Sequence, residues 1–128
     1  MTDKDTLLAL VAGVNATAVL DVTAQADYLS ETAPAVSVQL LPGSRWAQRY
    51  IDGSGTREIP FAVIYRSPAP TDVQTRVDAA STLMRLATSL EAADERITGT
   101  DTPSLFERAA NGSEVWRETF VLDLEVRK

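Results

Sequence analysis

The chain contains no cysteine and no histidine, and its only lysines, Lys4 and Lys128, lie at the two ends. Without cysteine there is no disulfide framework, no thiolate zinc site and no thiol nucleophile. Without histidine the commonest general base and the commonest metal ligand near neutral pH are missing. A serine nucleophile would therefore lack both a histidine and a well-placed lysine to activate it. No stretch approaches the roughly 18 uncharged apolar residues of a membrane-spanning helix. The opening residues, Met1-Thr2-Asp3-Lys4-Asp5, are too acidic for the first region of a signal peptide. These absences predict a soluble, unexported protein that stands on its hydrophobic core and carries no catalytic residue, cofactor or metal.

What is present is an ordinary globular balance: 45% hydrophobic and 23% charged residues, with six glycines and six prolines. A chain of 128 residues matches one domain, residues 1–128, able to bury roughly two thirds of its unfolded surface. The net charge of −6, from 18 acidic and 12 basic groups, argues against a surface built to neutralise phosphates. Ten of the twelve basic residues are arginine, a bias that interface chemistry and a GC-rich genome both produce.

Residues 3 to 15 read as a helix, since Leu7, Leu10, Val11 and Val14 follow helical spacing, with Thr2 or Asp3 as cap and Gly13 or Asn15 as the end. Residues 16 to 34 fit neither period, which leaves strand and irregular structure both open. From Ala35 the period becomes two: Val36, Val38 and Leu40 alternate with polar residues before Pro42-Gly43 turns the chain. Two further alternations, 45–51 and 58–66, flank Asp52-Gly53-Ser54-Gly55 and predict a hairpin, the second strand presenting Ile59, Phe61, Val63 and Tyr65 on one face. Pro60 has no amide hydrogen to donate, so its strand is expected at an edge or to begin there. Ser67 to Asp72 stops that strand and caps a long helix at Thr71, with Asp72 at its positive end. Val73, Val77, Ala80, Met84, Ala87 and Glu91 mark one line along this helix, and Leu83, Leu86 and Leu90 widen it. A turn-rich connection through Thr98-Gly99-Thr100-Asp101-Thr102-Pro103 leads to a last hairpin, strands 104–110 and 114–126 around Asn111-Gly112. In the final strand Trp116, Phe120, Leu122, Leu124 and Val126 share one face; Arg117, Thr119, Asp123, Glu125 and Arg127 share the other. The order predicts an α+β fold: a mostly antiparallel or mixed sheet with an N-terminal helix and one long central helix packed on it.

Each candidate for chemistry has a plainer reading. Ser54 between glycines lacks the nucleophile-elbow spacing and reads as a turn residue. Glu91, Asp94 and Glu95 cluster where a solvated helix end belongs. Asp101, Asp123 and Glu125 offer oxygen ligands outside any calcium-loop pattern. The Asp52 to Gly55 run joins two strands and opens no helix, so it is no phosphate loop. Trp46 and Tyr50 stand out from the other aromatics because their strand also carries Arg45 and Arg49, a mixture typical of interface hot spots, although cross-strand pairing also places aromatics on strands.

Several segments then carry a resemblance: Val36-Ser37-Val38-Gln39-Leu40-Leu41-Pro42-Gly43, Arg49-Tyr50-Ile51-Asp52-Gly53-Ser54, Ile59-Pro60-Phe61-Ala62-Val63, Thr102-Pro103-Ser104-Leu105 and Phe120-Val121-Leu122-Asp123-Leu124. Over most of residues 35 to 126 their order resembles the tail-terminator family of long-tailed bacteriophages, whose members are also called minor capsid proteins. The resemblance implies a virion protein at the tail–neck junction, assembled in the bacterial cytoplasm. It would cap the tail tube as a homo-hexameric ring, contact the major tail tube protein and a neck or head-completion protein, and let DNA pass without binding it. It needs no catalytic group, cofactor or membrane. Its candidate contact surfaces are the strand residues Arg45, Trp46, Arg49 and Tyr50, and the loop tips Asp52, Gly53, Ser54 and Gly55, Pro70 and Thr71, and Thr100 and Asp101. The polar strand face of Arg117, Asp123, Glu125 and Arg127 completes the set.

A chain of this length has a radius of gyration of roughly 14 Å, so six equivalent spheres in contact leave a central hole about one sphere wide, enough for duplex DNA. An acidic conduit would not hold DNA as a basic one does. Two other readings stand beside this one: a neck or head-completion protein, and a small ligand-binding or carboxylate-based enzyme domain.

Overall fold

The computed structural model describes residues 3–17, 23–27, 29, 34–67, 73–99, 103–108 and 114–126. In chain order the elements are α1 (Asp3–Ala16), β1 (Ala24–Ala26), β2 (Ala35–Leu40), β3 (Arg45–Arg49), β4 (Gly55–Arg66), α2 (Val73–Ala93), β5 (Ile97–Gly99), β6 (Ser104–Arg108) and β7 (Glu114–Val126). The fold is α+β: the described residues form two helices and a mixed seven-stranded sheet whose main path runs β1-β2-β4-β7-β5. The two longest strands form its spine, pairing antiparallel from Gly55↔Val126 to Arg66↔Val115. β2 and β3 follow each other along the free edge of β4, and β6 and β5 share the outer edge of β7. β1 runs parallel to β2, the one parallel pair among the described strands.

Period-two alternation explains which side chains turn inward. Ile59, Phe61 and Val63 of β4 meet Phe120 and Leu122 of β7 in one buried cluster, with Tyr65, Trp116 and Leu124 packed at its margin. The same cluster takes Leu7, Leu10 and Val14 from α1, and Leu83, Leu86 and Leu90 from α2. Each such side chain, fully buried, contributes roughly 1.5–3 kcal/mol relative to an exposed one.

The other sheet face is not wholly polar. Ala62, Ile64 and Val115 form a second small cluster there, with Leu29 and Leu41 against it. The helix-facing side of β7 in turn buries two carboxylates, Glu114 and Glu118.

Four expectations are corrected. The first helix does not stop at Gly13 or Asn15 but runs to Ala16, where the Thr17 amide and hydroxyl both donate to the Val14 carbonyl (3.3 and 2.7 Å). The stripe on α2 is rotated: Ala79, Leu83, Leu86 and Leu90 are buried, whereas Val77 and Met84 are about half exposed, at 52% and 55%. Its core-facing side is set by where the sheet lies, which helical spacing alone does not reveal. Thr98 and Gly99, expected within a connecting turn, belong to strand β5 (Ile97–Gly99).

Pro60 is the fourth correction, because it sits inside β4, opposite Val121 of β7. Its carbonyl accepts the Leu41 amide (2.9 Å), and in a strand a residue's nitrogen faces the same neighbour as its carbonyl. The nitrogen that cannot donate therefore faces Leu41, just past the last residue of β2, so this pair keeps one of its two ladder bonds and the β2 ladder ends there. The predicted caps Thr2 and Thr71, the Asp72 charge expected at the start of α2 and the Asn111-Gly112 turn lie outside the described residues, and the Asp3 cap rests on a side chain that is likewise not described.

Candidate functional site

The β3–β4 hairpin brings together the aromatic and arginine residues that the sequence singled out. Trp46 pairs with Arg57 in register, and a bulge at Ala47 shifts the ladder before Gln48 meets Thr56. The guanidinium carbons of Arg49 and Arg57 lie 4.9 and 5.7 Å from the centre of the Trp46 ring, within cation–π range. Arg57 also donates to the Ser44 hydroxyl (2.9 Å). Arg45 donates to Glu58 across the hairpin (2.8 Å), but its side chain is 76% exposed, so the pair adds little stability.

The hairpin tip is fixed by its own polar groups. The Tyr50 amide donates to the Ser54 carbonyl (2.8 Å) and the Gly53 amide to the Tyr50 carbonyl (3.0 Å). The Ser54 hydroxyl and amide both donate to one oxygen of Asp52, at 2.6 and 2.9 Å. These bonds, the hydroxyl's first, hold the Asp52 carboxyl below its ordinary 3.8. Gly53 and Gly55 take positive φ, 89° and 154°, and a side chain at Gly55 would collide with the Gln48 carbonyl oxygen. The tip thus holds one shape while turning Tyr50 (55% exposed) and a fully exposed Ile51 outward.

Beside the hairpin is a polar hollow of about 390 Å³, where Tyr50, Ser54, Gly55 and Thr56 meet Glu95, Arg96, Asp123 and Glu125. Arg96 is clamped on Asp94, with Nε on Oδ1 (3.0 Å) and Nη2 on Oδ2 (2.8 Å), and its amide also donates to Oδ1 (3.0 Å). The arginine hydrogen bonds pull the Asp94 carboxyl down, and those to Asp94 push the Arg96 guanidinium up. The Arg96 carbonyl accepts the Asp123 amide (2.9 Å), which ties this corner to β7. One cation among several carboxylates leaves the hollow acidic.

Arg96 also borders an apolar cleft of about 330 Å³ between α1, α2 and the sheet. Leu10 and Val14 line it from α1, Leu90 from α2, and Phe61, Ile97, Leu122 and Leu124 from the sheet; Gly13, Ser89 and Ala93 are small enough to leave it open.

The structure therefore gathers Arg45, Trp46, Arg49, Tyr50, Asp52, Gly53, Ser54 and Gly55 on one hairpin and sets Asp123 and Glu125 beside it. Arg117 stands elsewhere, half-buried near the other end of β7 in register with Ile64 and Ser104. Pro70, Thr71, Thr100, Asp101 and Arg127 lie outside the described residues. Sequence reading left Ile51 and Arg96 out of the site and took Glu95, with Glu91 and Asp94, for a solvated helix end. An isoleucine directly ahead of an Asp-Gly turn was the available signal for Ile51; nothing local marked Arg96.

Among the described residues no group of three or more carboxylate-type ligands is arranged to hold a metal, and no helix is long and apolar enough to cross a membrane. No protein-family model matches the chain, and no curated protein matches it.

Proposed function

We propose that the chain is a structural protein of a long-tailed bacteriophage, a tail terminator that caps the tail tube as a six-membered ring, ends its polymerisation and presents the surface for head–tail joining. The observation that carries this reading is the rigid β3–β4 hairpin, which exposes Tyr50 and Ile51 at its tip over a Trp46–arginine stack. Large side chains held in water by a fixed backbone suit recognition of another protein, because little entropy is lost on binding. The acidic net charge supports passage of DNA without retention. The long helix lying across the sheet as the central packing element belongs to the same reading of the fold.

Native mass spectrometry and negative-stain microscopy of the purified protein, alone and with preformed tail tubes, test the proposal. Six-fold rings, or caps on tube ends, support it; a strict monomer that ignores tubes overturns it. In the phage, an early stop codon in the gene should give tails of uncontrolled length. Normal tails left unattached to heads would instead assign the chain to the neck.

A further inference from the structure

Arg45 and Arg96 are each neutralised by a carboxylate, Glu58 and Asp94 respectively. Arg49 and Arg57 are not: among the described residues neither has a carboxylate partner, although the chain carries 18 acidic groups against 12 basic ones. The bulge at Ala47 brings the two together. It shifts the ladder by one residue, so Trp46 and Arg49 face the same side as their pairing partners Arg57 and Gly55. That side also carries Ile59 and, opposite Arg57, Leu124. Glu58, Asp123 and Glu125 alternate to the other side, and the Asp52 carboxylate is engaged at the tip by Ser54. Both guanidiniums lie against the one indole of Trp46. Arg57 is half-buried; its Nε is closed off from solvent without an acceptor, and its Nη2 donates to the Ser44 hydroxyl. A cation partly withdrawn from water and left without a counter-charge attracts an anion more strongly than a fully solvated one, because less water screens it.

We infer that this face of the hairpin binds an acidic segment of a partner protein, with a carboxylate held by Arg49 and Arg57 and an adjoining apolar side chain laid on Trp46. The inference rests on the reading of the hairpin as a protein-recognition surface, and names the chemistry of what it recognises. A guanidinium fork matches the two oxygens of a carboxylate, and Trp and Arg are enriched among the side chains that dominate protein interfaces. Tyr50 and Ile51, exposed at the tip of the same hairpin, extend the surface with apolar area that a protein covers and a phosphate backbone does not. The net charge of −6 works against a polyanion such as DNA, whose repulsion accumulates over many phosphates.

The chain has two tryptophans, so in Trp116→Phe the fluorescence of Trp46 alone reports on the site. This protein is titrated with a short peptide alternating glutamate and leucine, with its glutamine counterpart and with duplex DNA, and thermal melts confirm that every variant is folded. The glutamate peptide should bind, more weakly as salt rises, and the glutamine peptide should not. Arg49→Gln and Arg57→Gln should each weaken binding about tenfold, as for the loss of one charge-assisted contact. Arg45→Gln, on the opposite face and already paired with Glu58, should leave it unchanged. In the wild type the same peptide should shift the NMR signals of the Arg49 and Arg57 side chains, which frees the test from the Trp116 substitution. No binding of the glutamate peptide, equal binding of both peptides, or an equal loss in R45Q would overturn the inference. Arginine-dependent binding of DNA in place of the peptide would overturn it in favour of nucleic acid; self-association abolished by R49Q or R57Q, without peptide binding, would overturn it in favour of a second copy. Rings or tube caps formed by a wild type that ignores the peptide would leave the ring reading standing, whereas peptide binding without rings or caps would support the inference and overturn the ring reading alone.

Discussion

Phe61 and Phe120 stack across the β4–β7 ladder with ring centres 5.1 Å apart and planes 13° from parallel. Both rings are fully buried, and they join the helix-facing core to the sheet spine. Replacing either by alanine removes a large apolar volume and should cost about 3–5 kcal/mol in urea unfolding. The double variant should lose less than the sum, with a coupling of about 0.5–1.5 kcal/mol for the stacked pair. Strict additivity would mean that the rings contribute through burial alone.

Two glycines should respond in opposite directions to the same substitution. Gly55 has φ 154° and faces the Gln48 carbonyl, so Gly55→Ala meets both a strained backbone and a collision and should destabilise by about 1–3 kcal/mol. Gly13 lies inside α1 with open space at its β-carbon, so Gly13→Ala should stabilise by about 0.5–1 kcal/mol. Equilibrium denaturation of the two single variants gives both signs.

Asp94 links stability to pH. Arg96 lowers its folded-state carboxyl below the ordinary 3.8, so its contribution is complete above the unfolded value, near 3.9, and is lost as the pH falls through the lower folded value. At neutral pH Asp94→Asn should cost about 0.5–1 kcal/mol, as for a partly exposed pair. That difference should shrink in urea melts as the pH falls below about 4 and through the lowered folded value. A difference independent of pH would remove the ion pair from the explanation.

The hairpin tip should depend locally on Asp52. In Asp52→Ala the Ser54 amide and hydroxyl lose their acceptor, so hydrogen exchange at Ser54 should quicken while the melting temperature stays unchanged. In the wild type the same loosening should appear only in acid, as the pH falls through a carboxyl value below 3.8. NMR exchange measured residue by residue separates this local effect from global unfolding.

Alternation in 58–66 and 114–126 was enough to place Ile59, Phe61, Val63, Phe120 and Leu122 inward, because side-chain direction in a strand is a local property with period two. The Gly53 and Gly55 conformations were legible for the same reason, since a tight turn demands positive φ within a few residues. The spacing on α1 likewise identified Leu7, Leu10 and Val14. The strands of three residues, β1 and β5, were not legible, because pairing with β2 and β7 defines them more than any pattern of their own.

Within the candidate site, the sequence identified the hairpin and its aromatic–arginine mixture. It could not identify the hollow, since Glu95 and Arg96 reach Tyr50 only through the fold. Composition and local period determined by themselves the class of the fold, the core faces of its long strands and the position of its best turn. Tertiary structure alone decided that Pro60 sits in an interior strand where the β2 ladder ends, that α2 turns Val77 and Met84 to solvent, and that a cleft opens between the two helices. The reason is physical: direction along one element is set by near neighbours in the chain, whereas burial is set by residues tens of positions away that meet only when the sheet closes.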